Sequence, residues 1–383
     1  MTRIAAALCL TLAACAPPAV RPPAPAEDAR TATLRETLQR KLDSLRVAAR
    51  VPGATLGVAL PDGRVLALAT GMSDTAAGRA MRPTDRLLQG SVGKTYVSAV
   101  ALQLVHDGKL DLDAHIERYL GNEPWFARLP NARTITVRQL MSHTSGLVRW
   151  EFQPAATTLF REQPMKVWTP EERLSYVFDL APPFAAGQGW EYSDTNYIVL
   201  GMIIERVTGR PYYDELRRRL LGPLALRNTI PSDRPELPGV ANGYAGRRNE
   251  LGGFDATLAG GRLAINPQLE WTGGGLASTA DDLARWGKLL YEGKAFDASL
   301  LPELLRGVPA QLGRDAKYGL GVIIRPTALG ESWGHSGFFP GYATELLYVP
   351  ATKTAMALQI NVTDPYPRGM AAFLVEVART VGG

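Results

Sequence analysis

The chain has 383 residues, enough for one large domain or two, and 46% of them are hydrophobic, as is usual for globular proteins. Its formal net charge is +5, and the basic residues are interspersed with acidic ones. The densest basic cluster, Arg217-Arg218-Arg219, lies in a charge-rich helix, so the charge pattern argues against a nucleic-acid partner.

The amino terminus has the pattern of a targeting segment. Arg3 gives a positive start, and the apolar stretch at positions 4–14 is too short to span a bilayer. We therefore expect residues 1–14 to be a signal peptide that is removed. Residues 12–15, Leu-Ala-Ala-Cys, resemble the bacterial lipobox, in which the cysteine is lipidated and becomes the first mature residue. An ordinary cleavage site nearby is the alternative.

Lipidation of Cys15 would tie the protein to a membrane through acyl chains. Residues 15–29 are rich in proline and alanine and read as an extended tether. An aspartate directly after the cysteine would favour the inner membrane, but this position is occupied by Ala16. We expect a lipid-anchored protein of the bacterial cell envelope, on the outer membrane and facing the periplasm. Since Cys9 leaves with the signal peptide, the mature chain has no thiol free for a disulfide or a zinc cluster.

The first predicted elements of the mature chain are a helix and a hairpin. Leucines recur at helical spacing from Leu34 to Leu45, and Pro52-Gly53 ends the pattern. The stretches 54–60 and 64–69 flank a Pro-Asp-Gly turn, which predicts two antiparallel strands.

Ser91 and Lys94 stand at the start of an apolar helix that ends at Gly108. Side chains three residues apart share one helix face, so the amine can reach the hydroxyl. A serine becomes a nucleophile when a base takes its proton, and a neutral lysine is such a base. We expect burial and the positive end of the helix to lower the pKa of Lys94. The pair predicts a hydrolase that forms an acyl-enzyme. The alternative is that Ser91 caps the helix and Lys94 is a solvated residue of its first turn.

Two other motifs fail at single positions. Gly93-Lys94-Thr95 has the end of a phosphate-binding loop, but Leu88 occupies the place of its first glycine. Gly334-His335-Ser336-Gly337 nearly forms the nucleophile elbow of α/β-hydrolases, but Phe338 replaces its last glycine. Both alternatives are therefore rejected.

Tyr192-Ser193-Asp194 precedes an apolar helix that runs from Tyr197 to Val207 and ends at Gly209. A tyrosine just before a helix can point its hydroxyl into a cleft. The alternative is a buried aromatic ring beside an N-cap provided by Ser193 or Asp194.

The last third of the chain predicts consecutive strands at 318–325, 332–337, 342–349 and 354–361, followed by an amphipathic helix at 369–381. We expect an α+β architecture, with one antiparallel sheet built from both chain ends, helices on its faces and a helical region inserted between. The hydrolase domain would span residues 30–383, with the α/β part at about 30–85 and 265–383 and the helical part at about 86–264. His335 lies on a predicted strand.

Together, Ser91-x-x-Lys94, Tyr192-Ser193-Asp194 and His335-Ser336-Gly337 resemble the three motifs of the penicillin-recognising serine hydrolases. The similar branch contains class C β-lactamases, D-alanyl-D-alanine carboxypeptidases and β-lactamase-like esterases. The resemblance extends from about Leu34 to the end of the chain. It implies the β-lactamase/transpeptidase-like fold.

Carried over position by position, the resemblance makes Ser91 the nucleophile and Lys94 its activating neighbour. Tyr192 would shuttle protons, with its pKa lowered by Lys94. His335 would take the place of the lysine in the third motif.

The remaining implied roles concern substrate binding. Ser336 would contact the substrate, and Gly337 would let the strand edge approach closely. The backbone amides of Ser91 and Phe338 would form the oxyanion hole. Neither a metal nor a cofactor is implied, and no pair of histidines has the zinc-binding spacing H-E-x-x-H.

Asp194 departs from the resemblance, because many relatives have asparagine at this position. An amide can donate a hydrogen bond to a substrate carbonyl, whereas an ionised carboxylate only accepts. We therefore expect weaker binding of β-lactams and wall peptides and a shift towards esters.

The sequence thus predicts a serine hydrolase that cleaves a small ester, amide or peptide through an acylated Ser91. The alternatives are a D-alanyl-D-alanine carboxypeptidase or a class C-like β-lactamase and, outside the enzymes, an inert envelope binding protein of the same fold. The complete set Ser91, Lys94, Tyr192 and His335 favours an enzyme. The sequence does not indicate an oligomeric state.

Overall fold

The structure is a computed structural model that describes residues 28–246, 255–364 and 366–383. The predicted signal peptide, the lipidation site Cys15 and all but the end of the predicted tether lie outside the described residues. No helix in the described part of the chain combines the length and the apolar character needed to cross a membrane.

The helices are α1 (Ala29–Ala49), α2 (Lys94–His106), α3 (Glu117–Leu120), α4 (Val137–Met141), α5 (Pro154–Glu162), α6 (Pro170–Ser175), α7 (Asp194–Thr208), α8 (Tyr212–Leu216), α9 (Ala280–Tyr291), α10 (Leu301–Leu304) and α11 (Met370–Gly382). The strands are β1 (Gly53–Ala59), β2 (Val65–Asp74), β3 (Arg79–Ala80), β4 (Leu87–Leu88), β5 (Ile230–Pro231), β6 (Leu258–Ala259), β7 (Arg262–Leu263), β8 (Leu276–Ser278), β9 (Val308–Pro309), β10 (Lys317–Tyr318), β11 (Ile323–Thr327), β12 (Gly330–Phe339), β13 (Tyr342–Val349) and β14 (Thr354–Ile360).

The main sheet joins the two ends of the chain, as predicted. Within the described residues it has nine strands in the order β3-β2-β1-β14-β13-β12-β11-β10-β9. The junction is the antiparallel pair β1 and β14, in which Ala54 lies opposite Ile360 and Ala59 opposite Ala355. Helices α2 to α10 lie between the two groups of sheet strands in the sequence. The α+β class is therefore confirmed.

Both faces of the sheet are covered, which explains why β1, β13 and β14 are buried along their whole length. On one face, α1 and α11 pack against the sheet and share an apolar core with it through residues such as Leu38, Leu42 and Leu374. On the other face, α9 packs against β1 and β14, and its Trp286 joins a second core that continues into the helical region.

Some predicted boundaries differ from the observed ones. The predicted strand 318–325 is a tight hairpin of β10 and β11, because the chain reverses between them and Gly321 adopts a left-handed φ of 79°. Helix α1 ends at Ala49, where Arg50 is left-handed, rather than at Pro52-Gly53. The final helix is observed at Met370–Gly382, close to its prediction.

Glycine at position 57 lets α9 approach the sheet. A Cβ built on Gly57 would lie 1.9 Å from the carbonyl oxygen of Ala280, the first residue of α9. Real Cβ atoms do not approach backbone atoms that closely, so any larger side chain would push helix and strand apart.

We therefore expect Gly57→Ala to lower the free energy of unfolding by about 1–3 kcal/mol, measured by urea denaturation. Gly382→Ala, in the last turn of α11, is the matched control. A Cβ at this position would contact only the side chain of Thr352. An unchanged midpoint for Gly57→Ala would contradict this account of the packing.

Candidate active site

The nucleophile and its lysine lie on one continuous turn. Residues Gly90–Gly93 form a single turn of 3-10 helix that leads directly into α2, and Lys94 is the first residue of α2. The Lys94 Nζ lies 3.0 Å from the Ser91 Oγ, so the amine reaches the hydroxyl as the spacing predicts. The lysine side chain is 0% exposed.

Lys94 has two further partners, both close. Its Nζ donates hydrogen bonds to the Asp194 Oδ1 at the start of α7 and to the Gly273 carbonyl oxygen. The amine therefore connects α2, α7 and the turn before β8.

The expectation that Lys94 has a lowered pKa is wrong. Burial does lower the pKa, but the negative charge of Asp194 beside the amine outweighs it, and the net shift is upward. The same ion pair holds the pKa of Asp194 below its usual range, because Lys94 and Arg149 outweigh the effect of its own burial. The resting site thus contains an ammonium and a carboxylate.

Tyr192 lies over this ion pair, with the Lys94 Nζ 5.0 Å from its ring centroid. Its hydroxyl is buried and has no hydrogen-bond partner among the described residues. Burial raises the pKa of Tyr192 more than Lys94 lowers it, so the predicted net decrease is wrong. The phenol therefore keeps its proton and is free to donate it.

His335 is on β12, with its ring centroid 6.1 Å from that of Tyr192. Its Nδ1 lies 2.6 Å from the Ser336 carbonyl oxygen, which can only accept, so Nδ1 carries the hydrogen. Its Nε2 then accepts from the Tyr318 hydroxyl at 2.8 Å. Burial and the charge of Lys94 lower the pKa of His335 to about 3. The residue is a neutral imidazole, unlike the lysine it would replace.

Strand β12 lies against the turn that carries the nucleophile. A Cβ built on Gly337 would lie 1.9 Å from the Gln89 carbonyl oxygen, and one on Gly90 would lie 2.5 Å from the Phe338 backbone nitrogen. Both positions therefore require glycine. The contact brings the backbone of Phe338 beside the Ser91 turn, the arrangement that the predicted oxyanion hole needs.

The side chains of Ser336 and Phe338 point to different surroundings. The Ser336 Oγ accepts a hydrogen bond from Arg325 at 3.0 Å, and Arg325 pairs with Glu345. Ser336 does not line the cavity beside Ser91, so its predicted substrate contact stays a prediction. The Phe338 ring is 46% exposed and does line that cavity.

The cavity has a volume of about 610 Å³ and contains Ser91 in its wall, with Asp194 and Phe338. Four charged residues in its wall were not identified from the sequence: Arg149, Glu151, Glu270 and Asp364. Arg149 joins two of the acids, with its Nε 2.6 Å from the Glu151 Oε1 and its Nη2 3.4 Å from the Asp194 Oδ2. One signal could have found the two glutamates, because each stands between two large apolar residues, in Trp150-Glu151-Phe152 and Leu269-Glu270-Trp271.

The pKa values of Glu151 and Glu270 are both raised. Burial and the nearby charge of Asp194 raise the pKa of Glu151 to about 8 and that of Glu270 to about 8. In Glu151, the ion pair with Arg149 opposes this shift. Near neutral pH both groups therefore bind protons that an exposed glutamate would have released.

Arg173 fixes the segment that carries Glu270. It is fully buried, and burial lowers its pKa to about 9. Its guanidinium donates hydrogen bonds to the backbone carbonyls of Trp168, Gln268 and Leu269. The rings of Trp150 and Trp271 lie 5.9 and 5.8 Å from it. The guanidinium thus holds residues 268 and 269 immediately before Glu270.

Comparison with known proteins relates the whole domain to one family. The family profile described as Beta-lactamase matches residues 34–379. The chain is 29% identical to penicillin-binding protein 4 of Amycolatopsis lactamdurans, over 84% of each chain, and 28% identical to esterase EstB of Burkholderia gladioli, over 84% of this chain and 82% of the esterase. A D-stereospecific amidohydrolase from Streptomyces sp. superimposes with a TM-score of 0.76 at 28% identity, covering 90% of this chain and 98% of that one.

The raised pKa of Glu270 makes stability depend on pH. Between its ordinary pKa near 4.5 and about 8, the folded state holds a proton that the unfolded state has released. Stability therefore falls as pH rises through this window. We expect Glu270→Gln to melt at a higher temperature than the parent at pH 9, with the difference shrinking towards pH 4.5.

The measurement is thermal unfolding across this pH range, with Glu36→Gln on the exposed face of α1 as the control. A difference between Glu270→Gln and the parent that does not change with pH would show that the native carboxyl titrates normally.

Proposed function

This chain belongs to the β-lactamase family of serine hydrolases, and on that premise we propose that it hydrolyses a small ester or amide through an acyl-enzyme on Ser91. The observation that carries the proposal is the 3.0 Å approach of the Lys94 Nζ to the Ser91 Oγ in the wall of a cavity of about 610 Å³. Esters come first among the substrates, because the Asp194 carboxylate cannot donate a hydrogen bond to an acyl carbonyl and an ester, which is more electrophilic than an amide, depends less on such a donor.

In the first half of the reaction, Ser91 Oγ attacks the carbonyl carbon of the substrate. Lys94 contacts both Ser91 and Asp194, so it can release a proton to the carboxylate as it accepts the one from the hydroxyl. The amides of Ser91 and Phe338 stabilise the oxyanion. Tyr192, a protonated phenol, donates its proton to the leaving group as the bond to the carbonyl carbon breaks.

In the second half, the Tyr192 phenolate formed beside Lys94 accepts a proton from water, and the resulting hydroxide attacks the acyl carbon. The Ser91 oxygen leaves and recovers its proton through Lys94 from Asp194. The carboxylic acid departs, and every group regains its starting protonation. His335, neutral and hydrogen-bonded on both ring nitrogens, orients this side of the site without exchanging a proton.

We expect the mature protein to hydrolyse p-nitrophenyl esters and to react with a fluorophosphonate at Ser91, identified by mass spectrometry of the labelled peptide. Ser91→Ala should lose both activities, with at least a thousandfold fall in kcat because the nucleophile is absent. Nitrocefin and D-Ala-D-Ala peptides, measured in parallel, decide between the esterase proposal and its β-lactamase and carboxypeptidase alternatives. Labelling that persists in Ser91→Ala would overturn the assignment.

We also propose that the protein is lipid-anchored through Cys15 in the bacterial envelope, on the outer membrane and facing the periplasm. The support is the lipobox-like sequence at 12–15 and the Pro/Ala-rich segment after it. The parent should fractionate with membranes and Cys15→Ser should not. Equal distribution of the two would contradict the anchor.

A further inference from the structure

His143 is a buried histidine that has no task in the reaction described above. It is 0% exposed, and its ring centroid lies 4.3 Å from that of Tyr192 and 4.7 Å from that of Tyr318. Tyr192 is the proton donor of the proposed reaction, and Tyr318 donates a hydrogen bond to His335. The histidine therefore packs against two tyrosines that serve the site.

Residue 143 also hydrogen-bonds to the residue on either side of Tyr192. Its backbone carbonyl oxygen accepts a hydrogen bond from the Glu191 amide at 3.1 Å. Its ring Nδ1 lies 3.3 Å from the Ser193 amide nitrogen, which can only donate. The short stretch that presents Tyr192 is thus held at both ends by one residue.

The partners of His143 determine its tautomer. Its Nδ1 lies 3.1 Å from the Asn196 Nδ2, and the Asn196 Oδ1 accepts a hydrogen bond from the Ser145 hydroxyl, which sets the direction of the amide. Nδ1 is therefore an acceptor, and the hydrogen is on Nε2. Nε2 is buried and has no hydrogen-bond partner among the described residues. The ring is fixed through one nitrogen and exchanges no proton through the other.

The backbone at His143 is left-handed, with a φ of 59°. This conformation is disfavoured for a residue with a Cβ, whereas glycine adopts it freely. Glycine has no side chain, however, and could reach neither the Ser193 amide nor the tyrosine rings. The cost of the backbone conformation is thus offset by contacts that only a side chain can make.

His143 acts through its position rather than through its charge. Burial and the charge of Lys94 lower the pKa of His143 well below its ordinary value, although Asp194 opposes the shift. The ring is not in the wall of the cavity that contains Ser91, so it does not meet the substrate. A general acid must lie within hydrogen-bond reach of the atom that it protonates. A small displacement of Tyr192 would therefore slow its proton transfer.

We propose that His143 is a positioning residue that holds the Tyr192 phenol where it can protonate the leaving group, so that substrates with basic leaving groups depend on His143. This inference rests on the proposed function of Ser91. It adds a dependence on the leaving group that the nucleophile and its lysine do not set.

The test compares three acetate esters that form the same acyl-enzyme. p-Nitrophenol leaves readily as an anion, whereas phenol and, more strongly, ethanol need a proton. His143→Phe keeps a ring but offers no acceptor to the Ser193 amide. We expect it to lower kcat/KM about tenfold or more for ethyl acetate but less than about threefold for p-nitrophenyl acetate, with phenyl acetate between them.

A double-mutant cycle shows whether His143 acts through Tyr192. Tyr192→Phe should give the same pattern more strongly, because phenylalanine has no proton to donate. Adding His143→Phe to Tyr192→Phe should then cause no further loss of kcat/KM for phenyl acetate relative to p-nitrophenyl acetate. An unchanged or uniformly slowed ester series in His143→Phe, or losses that multiply in the double variant, would refute the proposal.

Leu38→Ala is the control for general destabilisation. Leu38 is fully buried on α1, in the core that covers the other face of the sheet from α9. This variant should unfold more easily than the parent and keep the parent's ratios of kcat/KM among the three esters. The same change of ratios in Leu38→Ala would show that lost stability, and not the position of Tyr192, causes the effect.

Hydrogen exchange separates this inference from the proposed function, because it needs no turnover. In His143→Phe the Ser193 amide loses its acceptor, and its exchange should accelerate about tenfold or more. In His143→Asn it should stay slow, because the asparagine oxygen can replace Nδ1 and asparagine tolerates the left-handed backbone. The Glu191 amide, bound to the backbone carbonyl of residue 143, is the internal reference.

Equal protection of the Ser193 amide in the parent and in His143→Phe would refute the positioning role. Failure of the parent to hydrolyse p-nitrophenyl acetate would count against the proposed function alone, because this ester needs no proton from Tyr192 to release its alcohol.

Discussion

The buried ion pair between Lys94 and Asp194 is the interaction on which the site depends. A lysine with no exposed surface requires partners, and it takes them from α7 and from the Gly273 carbonyl as well as from Ser91. Asp194 lies 100 residues and Gly273 lies 179 residues from Lys94 along the chain. One amine thus fixes the relative positions of the nucleophile helix, the helix after Tyr192 and the turn that leads to Glu270.

The same pair influences the protonation of its surroundings. Asp194 keeps Lys94 charged, and burial together with the Asp194 charge raises the pKa of Glu151 and of Glu270. The Lys94 charge and burial together keep His335 neutral. The site therefore keeps one ammonium and one carboxylate at its centre, with the Arg149 guanidinium beside the carboxylate, while Glu270 and His335 stay uncharged near neutral pH. Such an arrangement limits the free-energy cost of burying ionisable groups. It also places proton donors next to proton acceptors within the site.

Sequence patterns predicted the parts of the molecule that depend on local rules. The Ser91–Lys94 contact follows from helix geometry, and the union of both chain ends in one sheet follows from the distribution of strand signals. The direction of the Lys94 pKa shift was wrong because it depends on Asp194, whose carboxylate turns towards α2 only in the folded chain. The hairpin at Gly321 is local, but the continuous run of apolar residues hid its turn. The charged wall residues Arg149, Glu151 and Glu270 meet only through contacts between distant segments, and although the apolar neighbours of the two glutamates were a signal, no spacing in the sequence shows that these residues share one wall.

The pairing of β1 with β14 has a consequence for how the chain is made. These neighbours are separated by about 300 residues, so the centre of the sheet cannot close until synthesis has reached the last tenth of the chain. Until then, the β1–β2 hairpin has an open, apolar edge of the kind that attracts other strands. Helix α1, which precedes the hairpin and packs on β2, covers one of its faces during this interval. Helix α1 thus partly protects the nascent amino-terminal segment against aggregation until β14 has been synthesised.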